Sequence, residues 1–131
     1  MPKYLVVADE SWVRNEVHAA ITGPDTVIID HDDPTTAADV AVEHGVDALI
    51  VDLQLKAMGG MAVTRAVRNV TGSRESAGLP VILLLDRSAD AFLARRAGAV
   101  AWITKPFTSY ELGEALQKVF PQATAEPIDA E

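Results

Sequence analysis

Ala48-Leu49-Ile50-Val51-Asp52 is four apolar side chains in succession closed by a carboxylate. A strand with only one covered face alternates apolar and polar residues, whereas an unbroken apolar run suits a parallel sheet with helices on both faces. The pattern repeats on either side of this stretch. Tyr4-Leu5-Val6-Val7-Ala8 ends on Asp9, and Val100-Ala101-Trp102-Ile103-Thr104 ends on Lys105-Pro106-Phe107. With two further runs, strands are predicted over residues 3–8, 26–30, 48–52, 80–85 and 100–104. If these strands are parallel neighbours, two carboxylates and one ammonium converge at one edge of the sheet.

Helix-period segments separate the strands. Val13, Val17 and Ile21 line one face of a first helix. Ala38, Ala41 and Val42 line a second, opened by Asp33-Pro34 and closed by Gly45. Val63, Val67 and Val70 line a third, and a fourth runs from Ser88 to Gly98. The fifth begins with Thr108 and Glu111 at capping-box spacing and carries Leu112, Leu116 and Val119 inward. Strict alternation with short links predicts an α/β doubly wound domain over residues 1–120. Right-handed crossovers bring every strand's carboxyl end to the same edge, where ligands bind in such folds. Residues 121–131 are polar and acidic with two prolines, and read as a loose tail.

Bulk properties narrow the function. The 131 residues carry 11 Lys and Arg against 19 Asp and Glu, a net charge of −8. So acidic a surface repels phosphate backbones and anionic lipid, which disfavours nucleic acid and membrane as partners. The absence of cysteine removes disulfide frameworks, thiolate catalysis and thiolate zinc sites together. No apolar run approaches the ~20 residues of a spanning helix, and the start of the chain shows no export signal, so a cytoplasmic protein is expected.

On the residues 4–10 (Tyr-Leu-Val-Val-Ala-Asp-Glu), 47–52 (Asp-Ala-Leu-Ile-Val-Asp), 58–61 (Met-Gly-Gly-Met), 79–82 (Leu-Pro-Val-Ile) and 104–107 (Thr-Lys-Pro-Phe), the chain resembles the receiver domain of bacterial response regulators. The resemblance covers residues 3–120. It implies a flavodoxin-like five-stranded parallel sheet in the order 2-1-3-4-5, an order also known for a member of this family. It implies that Asp52 accepts a phosphoryl group from a histidine kinase or another phosphodonor and that Lys105 pairs with that group. The expected ligands of Mg2+ are Asp9, Asp52 and the backbone carbonyl of Gln54, and Pro106 is a candidate for a cis peptide. The chemistry agrees: a carboxylate attacking phosphorus works against like charge, so a hard divalent cation must bridge the two.

Three positions depart from the family pattern. The first of two acids that normally end strand one is Ala8 here, which weakens the cation site unless Glu10 reaches in. Leu85 stands where a Thr or Ser hydroxyl would bond the phosphoryl group, and leucine has no donor. Asp86 occupies a position usually kept small; its carboxylate narrows the approach and repels an anionic donor, or turns inward as a substitute cation ligand. Trp102 sits at the aromatic switch position, where the missing hydroxyl leaves its pose undriven. The expectation is an atypical single-domain receiver that signals by protein–protein contact with weakened switching. The competing reading is a phosphorylation-independent docking module.

Each residue also has an ordinary role open to it. Asp9 and Asp52 can be caps, Lys105 a solvated lysine, and Gly59-Gly60 a tight turn. His18, His31 and His44 have no metal-ligand spacing, and Asp33 of the Asp30-His31-Asp32-Asp33 cluster is already used as a cap. Trp12 falls off the buried face of the first helix and reads as half exposed beside the site. Arg95 and Arg96 read as solvated, or as paired in a homodimer through the face of helix four, strand five and helix five. A cofactor-binding enzyme is disfavoured, because the acidic, glycine-free Ala8-Asp9-Glu10-Ser11-Trp12 would repel a cofactor phosphate.

Overall fold

The computed structural model describes residues 2–21, 23–55, 58–72 and 78–117. Five strands, β1 (Lys3–Val7), β2 (Val27–His31), β3 (Ala48–Asp52), β4 (Val81–Leu85) and β5 (Ala101–Thr104), form one parallel sheet in the order β2-β1-β3-β4-β5. The helices are α1 (Ser11–Ile21), α2 (Ala37–His44), α3 (Gly60–Thr71), α4 (Ala91–Ala97) and α5 (Ser109–Gln117). Each predicted strand is present within a residue of its expected limits. The proposed tail at 121–131 lies outside the described residues.

Successive side chains of the strands feed two cores. Leu5, Val7, Leu49, Val51, Leu83 and Leu85 pack with Val63, Val67 and Ala94 on the side of α2, α3 and α4. Val6, Ala8, Ile50, Ile82 and Leu84 pack with Val13, Val17, Leu112 and Ala115 on the side of α1 and α5. Every residue of β3 and β4 is buried, which is why these strands show no polar alternation. A fully buried Leu or Ile contributes roughly 1.5–3 kcal/mol, so these two sheet faces dominate stability.

The helix faces differ from expectation at a few positions. Val42 and Val70 are exposed rather than inward. The buried residues of α2 are Ala37, Ala38 and Ala41, and those of α3 are Gly60, Val63, Thr64 and Val67. In each helix the exposed valine falls at the margin of the buried stripe near the C-terminal end. On α5 the buried pair is Leu112 and Ala115, Leu116 is half-buried, and Val119 lies outside the described residues. Ser88 opens a 3-10 turn (Ser88–Asp90) before α4 begins.

The helix caps match their sequence signals. The Asp33 carboxylate accepts from the Thr35 backbone N–H at 3.1 Å and opens a 3-10 turn into α2, which Gly45 closes in the left-handed region at φ +62°. Thr108 and Glu111 cap α5 reciprocally, at 2.9 and 3.1 Å.

Candidate functional site

Register sets the geometry of the carboxyl edge. Val7 lies level with Val51, Asp52 with Leu84, and Leu85 with Thr104. The strand tips therefore deliver Ala8 and Asp9, Asp52, Leu85 and Asp86, and Lys105 to one side of the sheet. The Lys105 backbone N–H donates to the Leu85 carbonyl at 2.7 Å and ties the start of the β5–α5 link to the end of β4. The Lys105–Pro106 peptide bond is cis.

Lys105 and Asp52 meet directly. The Lys105 ammonium donates to Asp52 Oδ1 at 2.5 Å, with side chains only 10% and 0% exposed. The Gln54 backbone N–H also donates to Asp52 Oδ1, at 3.2 Å. Asp52 Oδ2 is buried and has no hydrogen-bond partner among the described residues. A buried carboxylate oxygen without a donor is costly and marks the place where a cation or a reacting group would find its partner.

Burial is the main influence on the Asp52 carboxyl and raises its pKa. The Lys105 ammonium and the Gln54 N–H pull the other way, and the Asp86 carboxylate adds to the rise. An acid whose folded-state pKa exceeds its unfolded one contributes stability fully below the unfolded value and loses it as pH rises through the folded value. The ionised Asp52 therefore costs stability at neutral pH. Asp52→Asn keeps an oxygen for Lys105 and removes the buried charge. The variant is expected to melt about 3 °C above the parent near pH 8, an advantage that vanishes near pH 4, by calorimetry across pH.

Asp86 lies in an unexpected place. It turns inward, but towards Lys105: Asp86 Oδ1 is 3.1 Å from the ammonium, and the Asp86 side chain is 36% exposed. One lysine thus serves two carboxylates. The Trp12 ring lies 5.9 Å from the same ammonium, a cation–π contact over the mouth of the site. The Trp12 indole N–H donates to Glu10 Oε1 at 2.9 Å, so Glu10 holds the ring through one of its oxygens.

Asp9 is half-buried and follows β1 one residue beyond the level of Asp52. Its carbonyl and that of Ala8 both accept from Arg14 Nη1, at 3.1 and 2.9 Å, so α1 clamps the β1–α1 turn. Sequence reasoning did not find this clamp, because an arginine one turn into a helix carries no local sign that it reaches back to carbonyls. Ala8 is wholly buried in the apolar cluster beneath α1 and α5. Among the described residues no three His, Asp or Glu side chains gather as a metal cluster. The donor set at this edge still suits a hard cation: the carboxylates of Asp9 and Asp52, the orphaned Oδ2, and the nearby backbone of Gln54.

The switch positions are packed. Leu85 is fully buried in the core cluster that also contains Ala94, and half-buried Trp102 packs against that cluster. The Arg95 guanidinium lies 5.9 Å from the centre of the Trp102 ring, and that of Arg96 lies 5.6 Å from the centre of the exposed Phe92 ring. Away from the edge, His18 Nε2 sits 2.9 Å from both Asp30 oxygens, and His31 Nε2 sits 2.8 Å from the Thr36 hydroxyl. No described helix is long and apolar enough to cross a membrane.

Comparison with known proteins agrees with this fold. Residues 4–117 match the model of the response regulator receiver domain. The chain is 30% identical to the chemotaxis protein CheY of Pseudomonas aeruginosa, over 90% of this chain and 95% of that protein. It is 29% identical to a CheY homolog of Campylobacter jejuni, over 95% and 96% of the two chains. Its fold superimposes on the chemotaxis response regulator CheY4 of Vibrio cholerae with a TM-score of 0.77 at 25% identity, covering 91% of this chain and 98% of that one.

Proposed function

The chain belongs to the response regulator receiver family, and from that premise we propose that Asp52 is the phosphoacceptor of a two-component signalling protein. Receiver domains are signalling domains rather than enzymes, and they are served by histidine kinases. The observation that carries the assignment is the buried Asp52 carboxylate at the sheet edge, with Lys105 on one oxygen and the other without a partner among the described residues. In the reaction, an Asp52 carboxylate oxygen attacks the phosphorus of the donor. The bond from phosphorus to the leaving group breaks, and its electron pair departs with that group. Lys105 then faces the transferred phosphoryl oxygens as a point cation.

Asp9, Asp52 and the Gln54 carbonyl would hold Mg2+, which when bound neutralises charge between the carboxylate and the incoming phosphoryl group. Ala8 supplies no side-chain oxygen to this set, so the affinity is expected to be lower than at a site with a third carboxylate.

The output is proposed to be weakly coupled to phosphorylation, because Leu85 offers no hydroxyl and is sealed in the core. The face of α4, β5 and α5 is the proposed contact for a downstream protein or a second copy, since Phe92 and Tyr110 stand exposed there. A reading as a docking module indifferent to phosphate is favoured by the same Leu85 and by the carboxylate of Asp86 on Lys105. A partner that binds phosphorylated and unphosphorylated forms equally well would select it.

Acetyl phosphate and Mg2+ are expected to add the mass of one phosphoryl group to the intact protein, with acetate as the leaving group. Asp52→Asn abolishes the gain. An unmodified parent protein, or an Asp52→Asn variant that still gains the mass, would refute the assignment.

A further inference from the structure

Lys105 is the ammonium that a phosphoryl group on Asp52 requires, yet in this structure it is already bonded to a second anion. Asp86 Oδ1 lies 3.1 Å from Lys105 Nζ, and Asp86 begins the link from β4 to α4. That link is short and internally braced. Arg87 donates to the Asp90 carboxylate at 3.1 Å, and the Asp90 backbone N–H donates to the Arg87 carbonyl at 3.0 Å. The Ala91 N–H donates to the Ser88 carbonyl and starts α4. A pull on Asp86 is therefore felt by residues 86–91. Leu85, immediately before it, has no side-chain group that can bond a phosphoryl oxygen, so among the side chains of Leu85 and Asp86 the tether to the site is the Asp86 carboxylate.

On these observations we infer that Asp86 is an exchangeable counter-ion of Lys105: the resting protein holds the β4–α4 link inward through this ion pair, and phosphorylation of Asp52 releases it. The inference rests on the phosphoacceptor reading above and adds the direction of the response. An aspartyl phosphate brings nearly two negative charges beside a carboxylate that shares its lysine. The phosphoryl oxygens take the N–H donors of Lys105, and Asp86 is left facing like charge at close range. The carboxylate is more than a third exposed and can swing out to water at small cost. The link would thus loosen on phosphorylation, a response opposite in sign to one in which a hydroxyl is drawn in by the phosphoryl group.

Hydrogen exchange on the peptide spanning residues 86–91, read by mass spectrometry with and without acetyl phosphate and Mg2+, tests the inference. Intact mass gives the phosphorylated fraction in the same samples. Without phosphodonor, Asp86→Ala is expected to exchange about fivefold faster than the parent in this peptide, as a lost ion pair of partly exposed groups allows. With the mass gain confirmed, the parent rises to the rate of the variant, and the variant does not change further. Equal resting rates in the two proteins would overturn the inference. So would a confirmed phosphorylation that slows the parent or leaves it unchanged, with the phosphoacceptor reading intact. If no mass is gained at Asp52, both readings fall together. Asp86→Asn, which removes the charge and keeps the shape, is expected to follow the alanine variant; exchange like the parent's would also count against the release.

Discussion

Lys105→Met should lower the unfolding free energy by about 3 kcal/mol near pH 8, the low end of what is lost when one member of a buried ion pair is removed. Methionine keeps most of the stem and its packing, so the loss reports the ammonium. Its removal leaves Asp52, fully buried, with the Gln54 N–H as its one donor among the described residues and with the Asp86 carboxylate still nearby. Burial already raises the Asp52 pKa, and Lys105 is the chief opposing influence. Without it the carboxyl is pushed further up. The penalty is then absent where Asp52 is protonated in both folded and unfolded chains. Relative to the parent it grows as pH rises from the parent's folded-state value to the variant's higher one, and is constant above that. Denaturant unfolding at pH 4 and pH 8 should therefore show a small difference from the parent at the lower pH and the full one at the higher. A loss equal at both would mean that Lys105 acts through packing alone. Phosphorylation by acetyl phosphate should fall about tenfold or more, since the cation that faces the transferred group is gone.

That pair was legible in the sequence because it depends on strand ends. Unbroken apolar runs mark strands buried on both faces, and a charged residue closing such a run must emerge at the sheet's edge; the strand order that the family resemblance implies then brings Asp52 and Lys105 together across β4. What could not be read was any contact set by the distance between two links. Whether Asp86 turns to solvent, to a cation or to Lys105 depends on how near β4 ends to β5, and nothing in Leu85-Asp86-Arg87 encodes it. The cation–π contact of Arg95 with Trp102 likewise could not be read, since it pairs a residue of α4 with one of β5. Helix faces were readable at their centres and uncertain at their margins. Val42 and Val70 satisfy the spacing of an inward residue, yet both are exposed near the C-terminal ends of their helices.

Gly59 and Gly60 look alike in the sequence, as a tight turn before a helix, but their replacement by alanine should have very different effects. A Cβ on Gly60 would lie 2.6 Å from the Asp52 carbonyl oxygen, 2.8 Å from the Leu53 Cα and 3.2 Å from the Asp52 carbonyl carbon. All three are backbone atoms, so no side chain can swing aside to make room. Gly60 is also the first residue of α3, and its N–H donates to the Leu53 carbonyl at 3.1 Å, which pins the helix start against the end of β3. Alanine favours a helix over glycine by up to about 1 kcal/mol, and this gain is outweighed by forcing the two backbones apart, which costs about 2–3 kcal/mol net. Gly59, one residue earlier, has ordinary extended dihedrals (φ −67°) and nothing within 4 Å of a Cβ, so Gly59→Ala should leave stability within about 0.5 kcal/mol of the parent. The displaced segment in Gly60→Ala is the backbone of Asp52 itself, and its carboxylate would move relative to Lys105. The variant should therefore lose phosphorylation by acetyl phosphate even under conditions where it remains folded, while Gly59→Ala keeps it. Unfolding curves and phosphorylation rates measured on both proteins decide the matter: equal stabilities for the two would show that α3 can yield without disturbing β3, and that the acceptor is not held by this close approach.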